Sequence, residues 1–169
     1  MKFLGFSILA LQLLILAGCT GMQTTKPGVV GVTRTQYMFD PITAKDLNRS
    51  YAYSYRAAVG QADKQGRVLT DSAQGKRLQS IALRVVMQVG VFNPAAENWD
   101  WDINLIKVDQ INANCGPGGK IIVYSGLLDK VKPTDDELAV VLAHETAHAL
   151  RQHSREQASS KAMFEVAGT

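Results

Sequence analysis

His144, Glu145 and His148 form the pattern with the clearest chemical meaning in this chain. Positions four apart lie on the same face of an α-helix, so the two imidazoles can bind one metal ion. Zinc is the ion that this pattern favours, at one ion per chain. Glu145 follows the first histidine, where its carboxylate can reach a zinc-bound water and accept its proton. The pattern predicts zinc-dependent hydrolysis with Glu145 as the general base.

The residues around this motif predict the helix that carries it. Thr134 followed by Glu137 is a capping-box pattern, and Asp135 and Asp136 place negative charge near the positive end of the helix dipole. Between residues 138 and 150 the strongly polar side chains are those of the motif, so we expect a helix buried on all sides. Buried imidazoles are costly unless they bind a metal or are fully hydrogen-bonded, which favours a metal site over core histidines.

His153 is predicted to be a poor third ligand. On one continuous helix it lies nine positions after His144, on the opposite face. Ser154 stands where metzincins place their third histidine and Arg151 replaces their glycine, which excludes that class. We expect His153, Arg151 and Arg155 to form the solvated end of the helix, where positive charge complements the dipole.

The remaining patterns predict one small α+β domain. Apolar spacing indicates helices over residues 42–63 and 71–91, and alternation indicates a strand over 101–108. The glycine-rich segment 116–119 predicts a tight turn into a β-branched strand over 121–124. A β-hairpin therefore precedes the motif helix.

The N-terminus has the pattern of a secretory leader. Lys2 is followed by an apolar run, residues 3–17, which is too short to span a membrane, so we expect a cleaved signal peptide over residues 1–18. The sequence Leu-Ala-Gly-Cys that ends at Cys19 resembles the lipobox of bacterial lipoproteins. A plain signal peptide with an incidental cysteine is the alternative.

The lipobox predicts where the mature chain would be attached. Lipid, including palmitate, on Cys19 would anchor the chain to a membrane through a tether, residues 19–36, ahead of a peptidase region, residues 37–169. Thr20 at the next position predicts the bacterial outer membrane, with the domain facing the periplasm. If Cys19 carries lipid, Cys115 has no cysteine partner in the chain and is expected to be a small buried residue.

The charge balance argues against nucleic-acid binding. The whole chain has a formal net charge of +3, and loss of the signal peptide with Lys2 leaves about +2. The sequence contains no basic cluster of the kind that contacts phosphates. Polypeptides and a membrane surface are the predicted partners.

Four segments together resemble one peptidase superfamily. They are Asn112-Ala113, Pro117-Gly118-Gly119, Gly126-Leu127-Leu128 and the motif of residues 144–148. In this order they are similar to the HtpX and CaaX-prenyl-protease superfamily of gluzincin metallopeptidases. With the lipobox, the chain resembles the periplasmic lipoprotein branch represented by LoiP.

The resemblance implies an α+β zincin-like domain with a buried motif helix and a small hairpin sheet. It implies that His144 and His148 bind zinc and that Glu145 is the catalytic base. The hairpin would border the cleft, where a strand edge can hold an extended peptide. The candidate cleft residues are Asn112, Ala113, Pro117, Gly118 and Gly119. The implied substrates are misfolded or damaged proteins of the bacterial envelope.

The resemblance also implies a third ligand, a glutamate from a later helix. The sequence ends 21 residues after His148, so we expect this glutamate beyond Thr169 and the chain to be the N-terminal portion of such a domain. Glu156 lies eight residues after His148, about 12 Å along the axis of one continuous helix, which is too far to share the ion without a sharp turn. Glu165 is a poor candidate because the residues after it lack the acidic residue that follows the ligand in the family. The alternative function is that of a catalytically inactive lipoprotein acting as a scaffold or chaperone-like binding module.

Overall fold

The computed structural model describes residues 19–27, 33–39 and 41–167, so the predicted signal peptide lies outside the described residues. The α-helices are α1 (Ala44–Lys64), α2 (Ala73–Val86), α3 (Val89–Phe92), α4 (Asp135–Leu150) and α5 (His153–Ala167). The strands are β1 (Cys19–Met22), β2 (Gln36–Phe39), β3 (Asp102–Ile106), β4 (Ala113–Gly116) and β5 (Lys120–Tyr124). Short helical turns cover Pro94–Asn98 and Leu127–Val131. This architecture confirms the predicted α+β class. None of the described helices has both the length and the apolar composition needed to span a bilayer.

The central sheet has three strands in the order β3, β5, β4. β5 pairs in parallel with β3 and antiparallel with β4, which confirms the predicted hairpin and leaves β4 at an edge. The hairpin turn requires glycine, because Gly118 and Gly119 have φ angles of +75° and +81°. The turn is closed by the Gly119 amide, which donates to the Gly116 carbonyl at 3.2 Å.

Helices cover both faces of this sheet. Alternate residues of a strand point to opposite faces, and on β4 Cys115 lies in the core that α2 and α4 share, while Gly116 lies against the Tyr51 ring of α1. Tyr55 of α1 is buried and its hydroxyl donates to backbone carbonyl groups of the sheet. The core on the α2 and α4 side contains Leu78, Ile81, Leu105, Ile121, Val123, Leu138 and Leu142.

α4 begins as its sequence predicts. The Glu137 amide donates to Thr134 Oγ1 at 3.3 Å, and the Thr134 amide donates to Glu137 Oε2 at 2.8 Å, so both halves of the capping box form. Hydrogen bonds from the Thr134 backbone and side chain hold the pKa of Glu137 below its ordinary value. The start of the helix is therefore set by local contacts.

The prediction that α4 is buried on all sides is wrong. Leu138 and Leu142 are fully buried, but His144 and His148 are exposed and Val140 is 70% exposed. Only one face of the helix packs on β4 and α2, and alanine and valine fit either a core or a surface. Apolar composition alone therefore did not specify how much of the helix is covered.

The prediction that the motif helix continues through His153 is also wrong. α4 ends at Leu150, and Gln152 adopts a left-handed conformation with a φ of +52°. α5 then starts at His153 in a new direction. A single residue in this conformation redirects the chain, and no glycine marks it in the sequence.

The N-terminal strands fasten α5 to the rest of the domain. β1 and β2 form an antiparallel pair, and β2 packs on α5. Arg34 Nη2 donates to both carboxylate oxygens of Glu156 at 2.9 and 3.0 Å, and Gln36 Nε2 donates to Glu156 Oε2 at 2.9 Å. The Phe39 amide donates to Ser159 Oγ at 3.0 Å. These contacts join residues more than a hundred positions apart.

Glu156→Gln is expected to lower the free energy of unfolding by about 1 kcal/mol at neutral pH, a solvent-screened value because the ion pair is partly exposed. Burial raises the pKa of Glu156, but hydrogen bonds from Gln36 and Arg34 and nearby positive charge outweigh it, so the pKa is lowered. A lowered folded-state pKa stabilises the fold above the unfolded-state pKa, about 4.3, and this contribution disappears as the pH falls through the folded-state value.

Urea denaturation of both proteins at neutral and at acidic pH measures this difference. Glu165→Gln is the matched control, because Glu165 is exposed and lies 4.0 Å from Lys161. Equal stability of wild type and Glu156→Gln at neutral pH would contradict the prediction.

Gly75→Ala is expected to destabilise the protein by about 1–3 kcal/mol through steric overlap. Gly75 is buried in the first turn of α2, and an added Cβ would lie 2.2 Å from the Thr70 carbonyl oxygen and 2.3 Å from that of Leu69. Gly60→Ala in α1 is the control, because its Cβ would meet nothing within 4 Å and alanine favours the helix by about 0.5–1 kcal/mol. In thermal denaturation, the midpoint temperature should therefore fall in Gly75→Ala and rise in Gly60→Ala.

Candidate active site

His144 and His148 point their Nε2 atoms at the same point beside α4. The two Nε2 atoms are 3.1 Å apart, and the rings meet edge to face with centroids 4.7 Å apart. Both residues are exposed, so a ligand can reach this point from solvent. The one-turn spacing therefore places the two imidazoles as the sequence predicts, but on the surface of the helix and not in its core.

This donor pair fits a zinc ion. Two nitrogens about 2.0–2.1 Å from one tetrahedral ion lie about 3.3–3.4 Å apart, close to the observed Nε2–Nε2 distance. Imidazole nitrogen is also a preferred zinc donor. His144 and His148 would therefore hold the ion without rearrangement of the helix.

Glu145 lies on the side of α4 that faces the edge of the sheet. It is half-buried, and its charge acts on the Cys115 thiol of β4. Burial, followed by this charge, raises the pKa of Cys115 to about 12. Cys115 is consequently a buried neutral thiol and no nucleophile at neutral pH, and Glu145 is close enough to strand β4 for its charge to act there.

The described residues supply two of the three protein ligands usual in a catalytic zinc site. Glu156 is bound to Arg34 and Gln36, and Glu165 is exposed on α5 near Lys161. Within residues 19–27, 33–39 and 41–167, no group of three His, Cys, Asp or Glu side chains is placed to hold a metal ion. Neither glutamate therefore completes the site in this structure.

His153 lies much closer to the site than the sequence predicts. Its Nδ1 is 2.6 Å from Nδ1 of His148, with the ring centroids 4.8 Å apart. The prediction that it belongs to a solvated helix end is wrong, because its Nε2 is buried and has no hydrogen-bond partner among the described residues. Burial, followed by the charges of His148 and Arg34, lowers the pKa of His153 and outweighs the opposing charge of Glu156.

The predicted cleft residues divide into two groups. Ala113 is the first residue of edge strand β4 and Asn112 precedes it. Pro117 lines a small crevice beside His148. Gly118 and Gly119 are buried, Gly118 against Asn48 of α1 and Gly119 against Trp101. Added Cβ atoms there would lie 3.3 Å from the Asn48 side chain and 2.6 Å from the Trp101 ring, so packing and turn geometry explain these glycines.

The structure contains an apolar groove of about 1080 Å³ that the sequence patterns did not predict. It runs between α2, α3 and the face of α4 that carries Val140, Ala143 and Ala147. Met87, which also lines it, is 72% exposed. The stripe of Val140, Ala143 and Ala147 was visible in the sequence, but it was interpreted as buried core.

Comparison with known proteins decides the class of this site. Residues 72–169, more than half of the chain, match Peptidase family M48. The chain belongs to peptidase family M48. The match includes α2, the central sheet and the whole histidine motif, so the recognition of a gluzincin metallopeptidase is confirmed at the level of the family.

The curated relatives of this M48 chain are much longer proteins. The mitochondrial metalloendopeptidase OMA1 of Schizosaccharomyces pombe is 46% identical over 57 residues, which cover 34% of this chain and 17% of the relative. OMA1 of Arabidopsis thaliana is 36% identical over 70 residues, which cover 41% of this chain and 14% of the relative. OMA1 of Saccharomyces cerevisiae is 29% identical over 98 residues, which cover 54% of this chain and 28% of the relative. The chain thus spans less than a third of the length of these relatives.

These relatives overturn one prediction from the N-terminus. They are named as mitochondrial proteases, in plant, yeast and cattle, whereas the lipobox and Thr20 predicted the bacterial outer membrane. The predicted location is therefore wrong, and the resemblance narrows to the M48 family without the LoiP-like branch. A four-residue lipobox is a short local pattern, and the comparison over tens of residues outweighs it.

Proposed function

We propose that this M48 chain is a zinc-dependent endopeptidase that hydrolyses peptide bonds with Glu145 as the general base. The observation that carries the proposal is the pair of exposed Nε2 atoms 3.1 Å apart, with Glu145 beside them. The names of the OMA1 relatives, metalloendopeptidases in each case, support it.

Each side chain has a defined task in this proposal. His144 and His148 would hold the zinc ion. When bound, zinc lowers the pKa of water to about 7 and polarises a carbonyl group. Glu145 accepts the proton of the attacking water and returns it to the amine that leaves when the C–N bond breaks. Glu145 directly follows His144 on α4, so the proton acceptor is carried by the same helical turn as the two zinc ligands.

Strand β4 defines the kind of substrate that we propose. It is an edge strand of the sheet, so its free backbone groups can pair with an added strand. Only an extended segment can add to an edge in this way, which folded proteins rarely offer. The preferred substrates are therefore misfolded or damaged polypeptides.

Cleavage of an unfolded protein such as reduced casein tests the proposed activity. Cleavage should stop when 1,10-phenanthroline removes zinc and return when zinc is added back, because the histidines supply no chemistry without the ion. Native, tightly folded proteins should be poor substrates. Casein cleavage that is unaffected by the chelator would overturn the assignment, as would a zinc-loaded protein that cleaves nothing.

The apolar groove supports a second candidate function, a binding module without catalysis. Exposed Met87 and Val140 line it, and Lys26, Arg84 and Arg151 add positive charge. Apolar patches of this size commonly bind other proteins. Suppression of casein aggregation by zinc-free protein, with no cleavage by zinc-loaded protein, would favour this function over the peptidase.

We also propose that lipid on Cys19 attaches the chain to a membrane surface. The Leu-Ala-Gly-Cys sequence supports this, as does a cleavable segment over residues 1–18. β1 starts at Cys19 and pairs with β2, so the lipid would be attached close to the folded domain rather than through a long free tether. Mass spectrometry of the purified protein tests it: an unmodified Cys19 would overturn the proposal.

A further inference from the structure

The imidazole of His148 is contacted at both of its nitrogens. Nε2 lies 3.1 Å from His144 Nε2, and Nδ1 lies 2.6 Å from His153 Nδ1. The two nitrogens of one imidazole point away from each other, so an ion held by the Nε2 atoms lies on the far side of the ring from His153. His153 therefore cannot share that ion.

His144, His148 and His153 are linked through their ring nitrogens, and only one arrangement of the protons on His148 and His153 allows metal binding. A nitrogen that binds zinc must offer a lone pair, so the proton of neutral His148 has to reside on Nδ1. A contact of 2.6 Å between two nitrogens requires one donor and one acceptor. His148 Nδ1–H therefore donates to His153 Nδ1, and the proton of His153 resides on Nε2.

We propose that His153 is a positioning residue that fixes the tautomer and the ring orientation of His148 for zinc binding. This rests on the proposed function, in which His148 is a zinc ligand. Metal-binding histidines generally donate their second ring N–H to a carboxylate, a carbonyl or water. Here Nδ1 of His153, 2.6 Å from His148 Nδ1, supplies the acceptor.

The fold holds His153 in place through contacts remote in sequence. The left-handed Gln152 directs α5 back toward His148. Arg155 Nε donates to the Ile42 carbonyl at 2.5 Å, and Glu156 is bound to Arg34 of the N-terminal segment. His153 lies next to both of these anchors, so its ring is placed by a docked helix and not by a mobile helix end.

Two substitutions separate a positioning role from simple packing. His153→Phe keeps an aromatic ring but removes the acceptor, and His153→Asn keeps an acceptor oxygen near the position of Nδ1. Positioning predicts that zinc affinity falls about 10- to 100-fold in His153→Phe and is largely restored in His153→Asn. A role in packing alone predicts the reverse order, with zinc affinity retained in His153→Phe and lowered in His153→Asn. Gln157→Ala, at an exposed position of α5, is the control and should bind zinc as wild type does.

Zinc affinity is measured by titration of the full chain with zinc in competition with a chelating dye, and circular dichroism verifies that each variant is folded. A second readout needs no metal. The ¹⁵N shifts of the His148 ring, recorded above the ordinary pKa of histidine, should show the Nδ1–H tautomer in wild type and the Nε2–H tautomer in His153→Phe.

The outcomes distinguish this inference from the proposed function. Wild-type protein that binds no zinc would overturn the function, and the His148 tautomer would still decide whether the hydrogen bond exists. Wild type that binds zinc with the same affinity as folded His153→Phe would overturn the inference alone. A wild-type His148 in the Nε2–H form would overturn it as well.

Discussion

Glu145→Gln is expected to reduce peptide-bond hydrolysis by about 10²- to 10⁴-fold, the usual contribution of general acid–base catalysis. Glutamine has nearly the same shape as glutamate but cannot accept a proton from water. Glu145 is half-buried beside the exposed histidines, and its side chain is not one of the two that bind zinc. The substitution should therefore leave zinc affinity and the folded structure unchanged while the turnover rate falls.

The measurement is the rate of cleavage of unfolded casein at equal zinc occupancy. Asp136→Asn is the matched control, because it removes a carboxylate from an exposed position in the first turn of the same helix. It should retain wild-type activity. Equal cleavage by wild type and Glu145→Gln would show that another group, or a contaminating protease, is responsible.

His144→Ala is expected to lose zinc binding and activity together, with little effect on folding. Removing a direct donor should weaken zinc affinity by more than the about 10- to 100-fold typical of outer-shell substitutions. The side chain is exposed, so the free energy of unfolding of the metal-free protein should change by no more than about 0.5 kcal/mol.

Zinc content after dialysis and the urea midpoint of metal-free protein measure the two effects separately. His144→Ala should thus lose both zinc and activity, Glu145→Gln only activity, and His153→Phe part of the zinc affinity. Full zinc occupancy in His144→Ala would contradict the site as a whole. This order of effects follows from which group contacts the ion, which moves the proton and which supports a ligand.

Short-range interactions account for what was predicted correctly. The capping box of Thr134 and Glu137 forms because its partners are three residues apart, and the histidines share a face because they are one turn apart. The hairpin turn at Gly118 and Gly119 forms where glycine permits positive φ angles. In each case the relevant atoms are neighbours along the chain.

Long-range packing accounts for what was predicted wrongly. α4 is covered on one face only, because β4 and α2 contact that face and the described residues leave Val140 and the histidines exposed. The environment of a helix face depends on elements distant in sequence. Composition therefore predicted burial where the structure has a groove and an accessible site.

The sequence by itself determined the motif, the helix that carries it, the α+β class and the peptidase family, since these depend on residue types and short spacings. Only the tertiary structure decided the surroundings of the motif. Left-handed Gln152 ended the helix, and Arg34 and Gln36 fixed α5 through Glu156, which brought His153 to His148. No local pattern encodes that meeting, because it requires a backbone reversal at an ordinary residue and contacts across most of the chain.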